Sequence, residues 1–237
     1  MCGRFTHLYT WNELHALLSL SVIPSATPAP RHNVAPGQLI SVVREDGSGA
    51  RVVDSLHWGF VPAWAGADFA PLINARSETA AVKPAFADAL ATRRCIVPAS
   101  GFYEWATAPG ERAKIPYYFR DVRARPLLFA GLWSPSVSGS GTVAILTTAA
   151  TGIARTVHER LPVMLEPEEA QHWLASSTRT ETACALVQGN RSPHLRAFPV
   201  SRLVNRVEQD GPALIEPVGP DLDAEGPRPS EPHLFSA

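Results

Sequence analysis

Strand-length runs rich in β-branched and aromatic residues recur along the chain, each bounded by turn residues. LISVVRE (39–45) and RVVDSLHWGF (51–60) are two such runs; the turn EDGSG joins them, so they read as paired strands. RRCIVPASGFYEW (93–105) reads as a strand, a Pro-Ala-Ser-Gly bend and a second strand. IPYYFRDV, PLLFAGLW and GTVAILTTAA follow as further strands, and HLRAFPVS is the expected last one. Helical stretches are fewer. TWNE at 10–13 is a capping box, in which Thr10 caps and Glu13 reaches back, and it opens the helix WNELHALLSL. KPAFADALATR (83–93), with Pro84 in its first turn, and PEEAQHWLAS (167–176), acidic in its first turn, are the others. VIPSATPAP (22–30) is a Pro-rich loop. Many short strands, few helices and no strand–helix alternation predict an α+β fold. The expectation is a single domain with a mostly antiparallel, barrel-like β core flanked by short helices. After residue 212 the chain turns Pro-rich and acidic. The expected division is therefore a folded domain over 1–212 and a mobile or loosely packed tail over 213–237.

The bulk numbers fit an ordinary globule: 237 residues, 45% hydrophobic and 18% charged. No run approaches the ~18 apolar residues of a membrane span. Arg4, His7, Asn12 and Glu13 interrupt the first segment, so it has no signal-peptide core. A cytoplasmic protein with no membrane partner is expected. Cys2, Cys95 and Cys184 are odd in number, widely spaced and form no CxxC pair. That argues against a disulfide framework and a structural zinc site, and HERLP (158–162) has no second His one turn on. Neither a metal nor a cofactor is expected. The net charge of −1 hides a split: residues from Val207 onward hold seven acidic side chains and one basic, a net −6, which leaves +5 on residues 1–206. A body that mildly basic does not suit a strong duplex binder, but it suits one that holds a short single strand with a few arginines.

Several polar clusters do not fit a core. In PLINARSET (71–79) an apolar run stops at Asn74, and Arg76 and Glu78 follow. These are either a turn Asn with a surface Arg, or an Asn that orients substrate beside a phosphate-binding Arg. In GFYEW (101–105) alternation puts Phe102 and Glu104 on one face, Tyr103 and Trp105 on the other. Glu104 is then either a solvated strand carboxylate or a buried one whose raised pKa suits proton transfer. His158 and Arg160, in TVHERLPVML (156–165), are either surface and packing residues or an acid–base group beside a cation. HWGFVPAWA (57–65) gathers Trp58, Phe60 and Trp64 around Gly59 and Pro62, as a core loop or as stacking surfaces for unpaired bases.

Taken together, MCGRF, NVAPGQ, WGFVPAW, INARSET, KPAF, RRCIVPASGFYEW, PYYF, FAGLW, TTAA, HERLPVML and PVSRLVN, in that order from residue 1 to about 205, resemble the SOS-response-associated peptidase (SRAP) family, the abasic-site processing proteins. Two positions depart from the family's usual pattern: Leu161, where Met is usual, and His32, where an aromatic is common. Neither carries the chemistry the resemblance implies.

That resemblance implies single-stranded DNA containing abasic sites as the ligand, and a covalent crosslink at Cys2 once Met1 is removed. The α-amine of such a Cys2, with a pKa of about 7.7–8.0, can condense with the open-chain aldehyde. The neighbouring thiol can then close a thiazolidine ring on the same carbon, which an internal cysteine cannot do. Carried over by motif, the catalytic set is Cys2, Asn74, Glu104 and His158. Asn74 positions Cys2, Glu104 exchanges protons at the amine, and His158 acts on the sugar oxygen. The DNA-binding set is Arg4, Pro36, Trp64, Arg76, Trp105 and Arg160, with Arg76 and Arg160 as the phosphate clamps. The crosslink shields the strand from cleavage during the DNA damage response; weak lyase activity accompanies the reading, and self-catalysed or assisted loss of Met1 is left open. A monomer, nucleoid-associated when bound to DNA, is expected, and replication-fork proteins are left open as partners. Two rivals stand beside it. One is a cysteine peptidase or N-terminal-nucleophile amidohydrolase built on Cys2; the other is a non-enzymatic single-strand binding module.

Overall fold

The computed structural model describes residues 2–26, 29–66, 68–107, 113–136, 139–188, 194–223 and 226. In chain order the elements are β1 (Phe5–His7), α1 (Trp11–Leu18), β2 (Arg31–Val34), β3 (Leu39–Glu45), β4 (Arg51–Trp58), β5 (Asn74–Arg76), α2 (Ser77–Ala80), α3 (Ala87–Thr92), β6 (Arg94–Ala99) and β7 (Gly101–Ala106). There follow β8 (Ile115–Asp121), β9 (Leu127–Ser134), β10 (Thr142–Ala149), β11 (Arg160–Pro162), α4 (Pro167–Leu174), α5 (Thr180–Gln188) and β12 (Leu195–Pro199). Three 3₁₀ turns lie at Gly152–Thr156, Arg202–Asn205 and Pro212–Ile215. No helix among the described residues is long and apolar enough to cross a membrane.

The strands form two sheets. One is antiparallel, in the order β12-β8-β7-β1-β2. In the other, β10 pairs with both β4 and β9, so β3, β4, β10, β9 and β6 close on themselves into a ring. β5 and β11 extend β10 beyond the ring. Among the described residues only the pairings of β10 with β4 and with β5 are parallel. The expected barrel-like, mostly antiparallel core is the one observed.

Side-chain alternation distributes the core into three layers. Val97, Phe129, Val143 and Ile145 point into the ring and meet Phe5, Phe102 and Phe119 of the first sheet. Their neighbours Ile96, Leu128, Ala144 and Leu146 point outward and are covered by Leu14, Leu90, Trp173 and Val187 of the helices. Tyr103, Tyr118 and Phe198, on the far face of the first sheet, are covered by Val204 and Leu214. Strands buried on both faces explain why these segments read as continuous apolar runs.

Several boundaries differ from expectation. The helix expected over 83–93 starts at Ala87, because Lys83–Phe86 form turns whose N–H groups bond back to Thr79 and Lys83. α1 and its capping box are as read, with the Glu13 N–H donating to Thr10 Oγ1 and the Thr10 N–H to Glu13 Oε2. The first part of the tail, expected to be mobile or loosely packed, makes contacts with the domain as far as Leu222. Leu214 and Ile215 cover the Tyr103 face, the Val218 N–H donates to the Pro199 carbonyl, the Leu222 N–H donates to the Ala197 carbonyl, and Arg196 pairs with Asp221. The physical reason is that β12 is an edge strand, and this segment supplies hydrogen bonds along it. The tail beyond Asp223, Gly226 excepted, lies outside the described residues, as does Met1.

Candidate active site and strand-binding surface

Cys2 precedes β1 and is fully buried, in the layer between the two sheets. β1 pairs antiparallel with β7 in the register Phe5↔Phe102 and Thr6↔Gly101. Extended by two residues, that register brings Glu104 level with Gly3, and the Tyr103 N–H bonds the Arg4 carbonyl at 2.9 Å. Gly101 makes the approach of β7 to β8 possible, since a Cβ there would collide with the Tyr118 ring and the Phe119 carbonyl. Glu104 shares a face with Phe102 and is 4% exposed, so its side chain enters the same buried layer as Cys2. Asn74 arrives from the other sheet: β5 lies parallel to β10 with Asn74 opposite Ile145. Its Nδ2 donates to the Cys2 carbonyl at 2.9 Å. Its Oδ1 is buried and has no hydrogen-bond partner among the described residues.

Burial dominates the ionisation of this layer. Burial pushes the Glu104 carboxyl up to about 7, against the pull of the positive amino terminus and Lys114. Burial, reinforced by Glu104, pushes the Cys2 thiol well above its ordinary value, so it is not a thiolate near neutrality. His158, in the bend between the 3₁₀ turn at Gly152–Thr156 and β11, is lowered by burial and by the amino-terminal charge. Its Nδ1 accepts the Arg160 N–H at 3.0 Å, which leaves Nε2 as the protonated nitrogen of the neutral ring. The Arg160 carbonyl, 3.2 Å from the same Nδ1, is placed to accept once the ring is protonated. Glu104 and His158 are thus a carboxyl that titrates near 7 and an imidazole held toward its neutral form.

The expected binding residues fall into different environments. Arg76 is exposed, at the end of β5, and makes no hydrogen bond or ion pair among the described residues. Pro36 is exposed after β2, and Trp64 is 66% exposed, edge-on to Phe69 at 5.9 Å. Arg4 is engaged: its Nη1 donates to Asn33 Oδ1 at 2.6 Å and to the Val204 carbonyl at 2.7 Å, and its guanidinium lies 5.9 Å from the Trp105 ring. Trp105 donates through Nε1 to Asn205 Oδ1. Arg160, whose side chain is 11% exposed, binds both carboxylate oxygens of Glu78 at 2.8 and 2.9 Å and donates to Thr147. Its two Nη nitrogens are committed within the protein, unlike those of Arg76.

Sequence reasoning gave Glu78 no role, because its partner is distant in the chain. Asn33 was also passed over: its Nδ2 donates to the carbonyls of Arg206 and Gln209 and anchors the C-terminal segment beneath Arg4. An open concavity of about 650 Å³, lined by residues 149–152, Arg155 and Val157–Glu159, has His158 on its wall. A more enclosed cavity of about 300 Å³ lies by Leu17, Met164 and His194; its cations Arg123 and Arg125 are paired with Asp121 and Glu166, and it shares no residue with the cluster. No group of three His, Cys, Asp or Glu side chains among the described residues is arranged to hold a metal ion.

A ring-closed sheet packed on an antiparallel sheet, with a buried cysteine at position 2 between them, places the chain in a defined class. Residues 1–207 match the family model described as SOS response associated peptidase (SRAP), and the chain belongs to that family. Among its relatives, the abasic site processing protein YoqW of Bacillus subtilis is 34% identical over 224 residues, covering 91% of this chain and 99% of the relative. The abasic site processing protein YedK of Escherichia coli is 33% identical over 227 residues, covering 92% and 100%. The abasic site processing protein HMCES of Gallus gallus is 29% identical over 206 residues, and the match spans 61% of that longer protein. A crystal structure of a phage-related protein from Bordetella bronchiseptica superposes with a TM-score of 0.70 at 28% identity, covering 85% of this chain and 95% of that one.

Proposed function

We propose that this protein processes abasic sites in single-stranded DNA, and that Cys2, freed of Met1, forms a thiazolidine crosslink with the ring-opened sugar. The observation that carries the reading is the buried meeting of Cys2, held through its carbonyl by Asn74, with a carboxyl that titrates at about 7. Kinship with proteins named for abasic-site processing supports the choice of ligand.

The steps follow from the groups present. The neutral α-amine of Cys2 attacks the aldehyde carbon to give a carbinolamine. Glu104, able to hold or release a proton near neutrality, takes the excess proton from nitrogen and returns it to the leaving hydroxyl, expelling one water. The thiol then adds to the imine carbon; the C–S bond forms and the thiol proton ends on nitrogen. His158, protonated on Nε2, donates toward the sugar oxygen and favours the open-chain aldehyde. Asn74 Oδ1 accepts from the amine and orients its lone pair. Arg76 is the phosphate ligand and Pro36 and Trp64 the apolar surfaces for flanking bases. Arg160 serves through Glu78 and Thr147 to fix β11, and Arg4 and Trp105 serve to anchor the N-terminal strand. The crosslink shields the strand, since a capped aldehyde cannot undergo β-elimination.

The buried, protonated thiol speaks against the peptidase reading, which needs a thiolate as first nucleophile. The test is incubation with a single strand carrying one abasic site, followed by a denaturing gel and mass spectrometry. A heat-stable adduct on the Cys2 peptide is expected from the wild type, and only a labile Schiff base from Cys2→Ser. An equal adduct from Cys2→Ala, or from protein with an irremovable N-terminal extension, overturns the assignment.

A further inference from the structure

We infer that the concavity beside His158 is the seat of the strand's sugar–phosphate backbone next to the lesion, with Arg155 as its phosphate ligand. The inference rests on the single-strand reading above but assigns a binding surface that reading did not contain. At about 650 Å³ the concavity has the volume of a ligand cleft, ~300–1,000 Å³. Its rim from Ala149 to Gly152 holds small residues, so a chain can approach the backbone closely. Gly152, at φ 54°, takes the left-handed conformation that favours glycine and starts the 3₁₀ turn that carries Arg155. That turn sets Arg155 and His158 on the same concave surface, so a strand lying there passes directly into the reacting cluster.

Arg155 differs from most arginines of this chain in being uncommitted. Arg44, Arg93, Arg123, Arg160 and Arg196 are each ion-paired, and Arg94 is spent on main-chain carbonyls. Arg155 is exposed and makes no hydrogen bond or ion pair among the described residues. A guanidinium left open beside a proton-transfer group suits a phosphate, which it can bind through two parallel N–H donors. Glu159 lines the same concavity and is exposed. Its carboxylate repels phosphate, so the strand runs on the Arg155 side and Glu159 weakens binding.

The test is the anisotropy of a labelled single strand without any abasic site, titrated with full-length protein at several salt concentrations. One phosphate contact on a single strand contributes a slope of about −0.7 in log K against log salt, which is about five-fold in affinity at 0.1 M. Arg155→Ala is expected to weaken binding about five-fold at 0.1 M and to flatten the slope by about 0.7. Arg155→Lys should restore most of both, and Glu159→Gln should tighten binding. An unchanged affinity and slope in Arg155→Ala overturns the assignment, as does Glu159→Gln with no gain. The two proposals fail separately. A wild-type Cys2 adduct with an unaltered Arg155→Ala slope refutes the binding surface alone; a flattened slope with no adduct refutes the chemistry alone.

Discussion

Replacing Glu104 by Gln separates the cost of burying a carboxyl from the chemistry it performs. In the folded protein Glu104 titrates at about 7 against an ordinary 4.5, with burial as the main cause. At 1.36 kcal/mol per pH unit, the gap corresponds to about 3 kcal/mol. The sign follows from which state binds more protons. A carboxyl raised in the fold leaves stability complete below pH 4.5, where both states are protonated. Stability then falls as pH rises towards 7, because the unfolded chain loses its proton first. Above 7 the full ~3 kcal/mol is forfeited. Gln keeps the volume and cannot ionise. Glu104→Gln should therefore match the wild type near pH 4.5 and exceed it by about 3 kcal/mol at pH 8.5, or ~6–12 °C in Tm for a chain this size. Urea unfolding followed by tryptophan fluorescence at the two pH values reads the difference, and crosslinking measured in parallel should fall. A stability gap equal at both pH values, or a variant less stable than wild type at pH 8.5, refutes the claim that desolvation dominates at this carboxyl.

Two further predictions concern the scaffold. Arg94, 5% exposed, donates to the carbonyls of Leu90, Ala91, Trp173, Ala175 and Thr178, closing the C-terminal ends of α3 and α4. Arg94→Leu leaves those acceptors unpaired and should cost about 3 kcal/mol or more in urea unfolding, with Arg94→Lys recovering only part because it lacks the five-donor fork. Gly101→Ala should cost about 1–3 kcal/mol in the same assay by forcing the Tyr118 ring away from Thr6, to which its hydroxyl bonds at 2.8 Å.

Long elements were legible because their signals are local. The capping box at Thr10 and Glu13, the EDGSG hairpin and the two strand runs either side of Ser100 each announce themselves within a dozen residues. β1, β2, β5 and β11, of three or four residues, are too short for a periodicity to show and exist because neighbours pair with them. α5 escaped for a related reason: its buried positions are only Ala183 and Val187, a weak stripe. The contacts of the segment to Leu222 were not legible because composition reports the cost of ordering it but not the open edge of β12 that receives it. Within the site, the parity of Phe102 and Glu104 was readable from the strand period, since it needs only one strand. The fate of Arg160 was not, because its carboxylate partner sits 82 residues away on α2 and only the parallel pairing of β5 with β10 brings them together.

The site's shared burial bears on the order of the proposed steps. Cys2 and Glu104 lie in one apolar layer, where burial raises both and Glu104 further raises the thiol, and His158 is lowered by burial and by the amino-terminal charge. Near pH 7 the thiol is protonated, the carboxyl is close to half-protonated and the imidazole is neutral. Desolvation disfavours a charged thiol, so burial leaves less of its nucleophilic form. The environment therefore restrains the sulfur of Cys2 as a first nucleophile. In the proposed sequence that puts imine formation first and leaves the thiol, still carrying the proton that nitrogen will need, for ring closure. A peptidase would require the opposite bias: a cation beside the sulfur instead of a carboxyl. In the proposed reading the carboxyl at 104 is the residue that separates the two chemistries, and the antiparallel register of β1 on β7 sets its position.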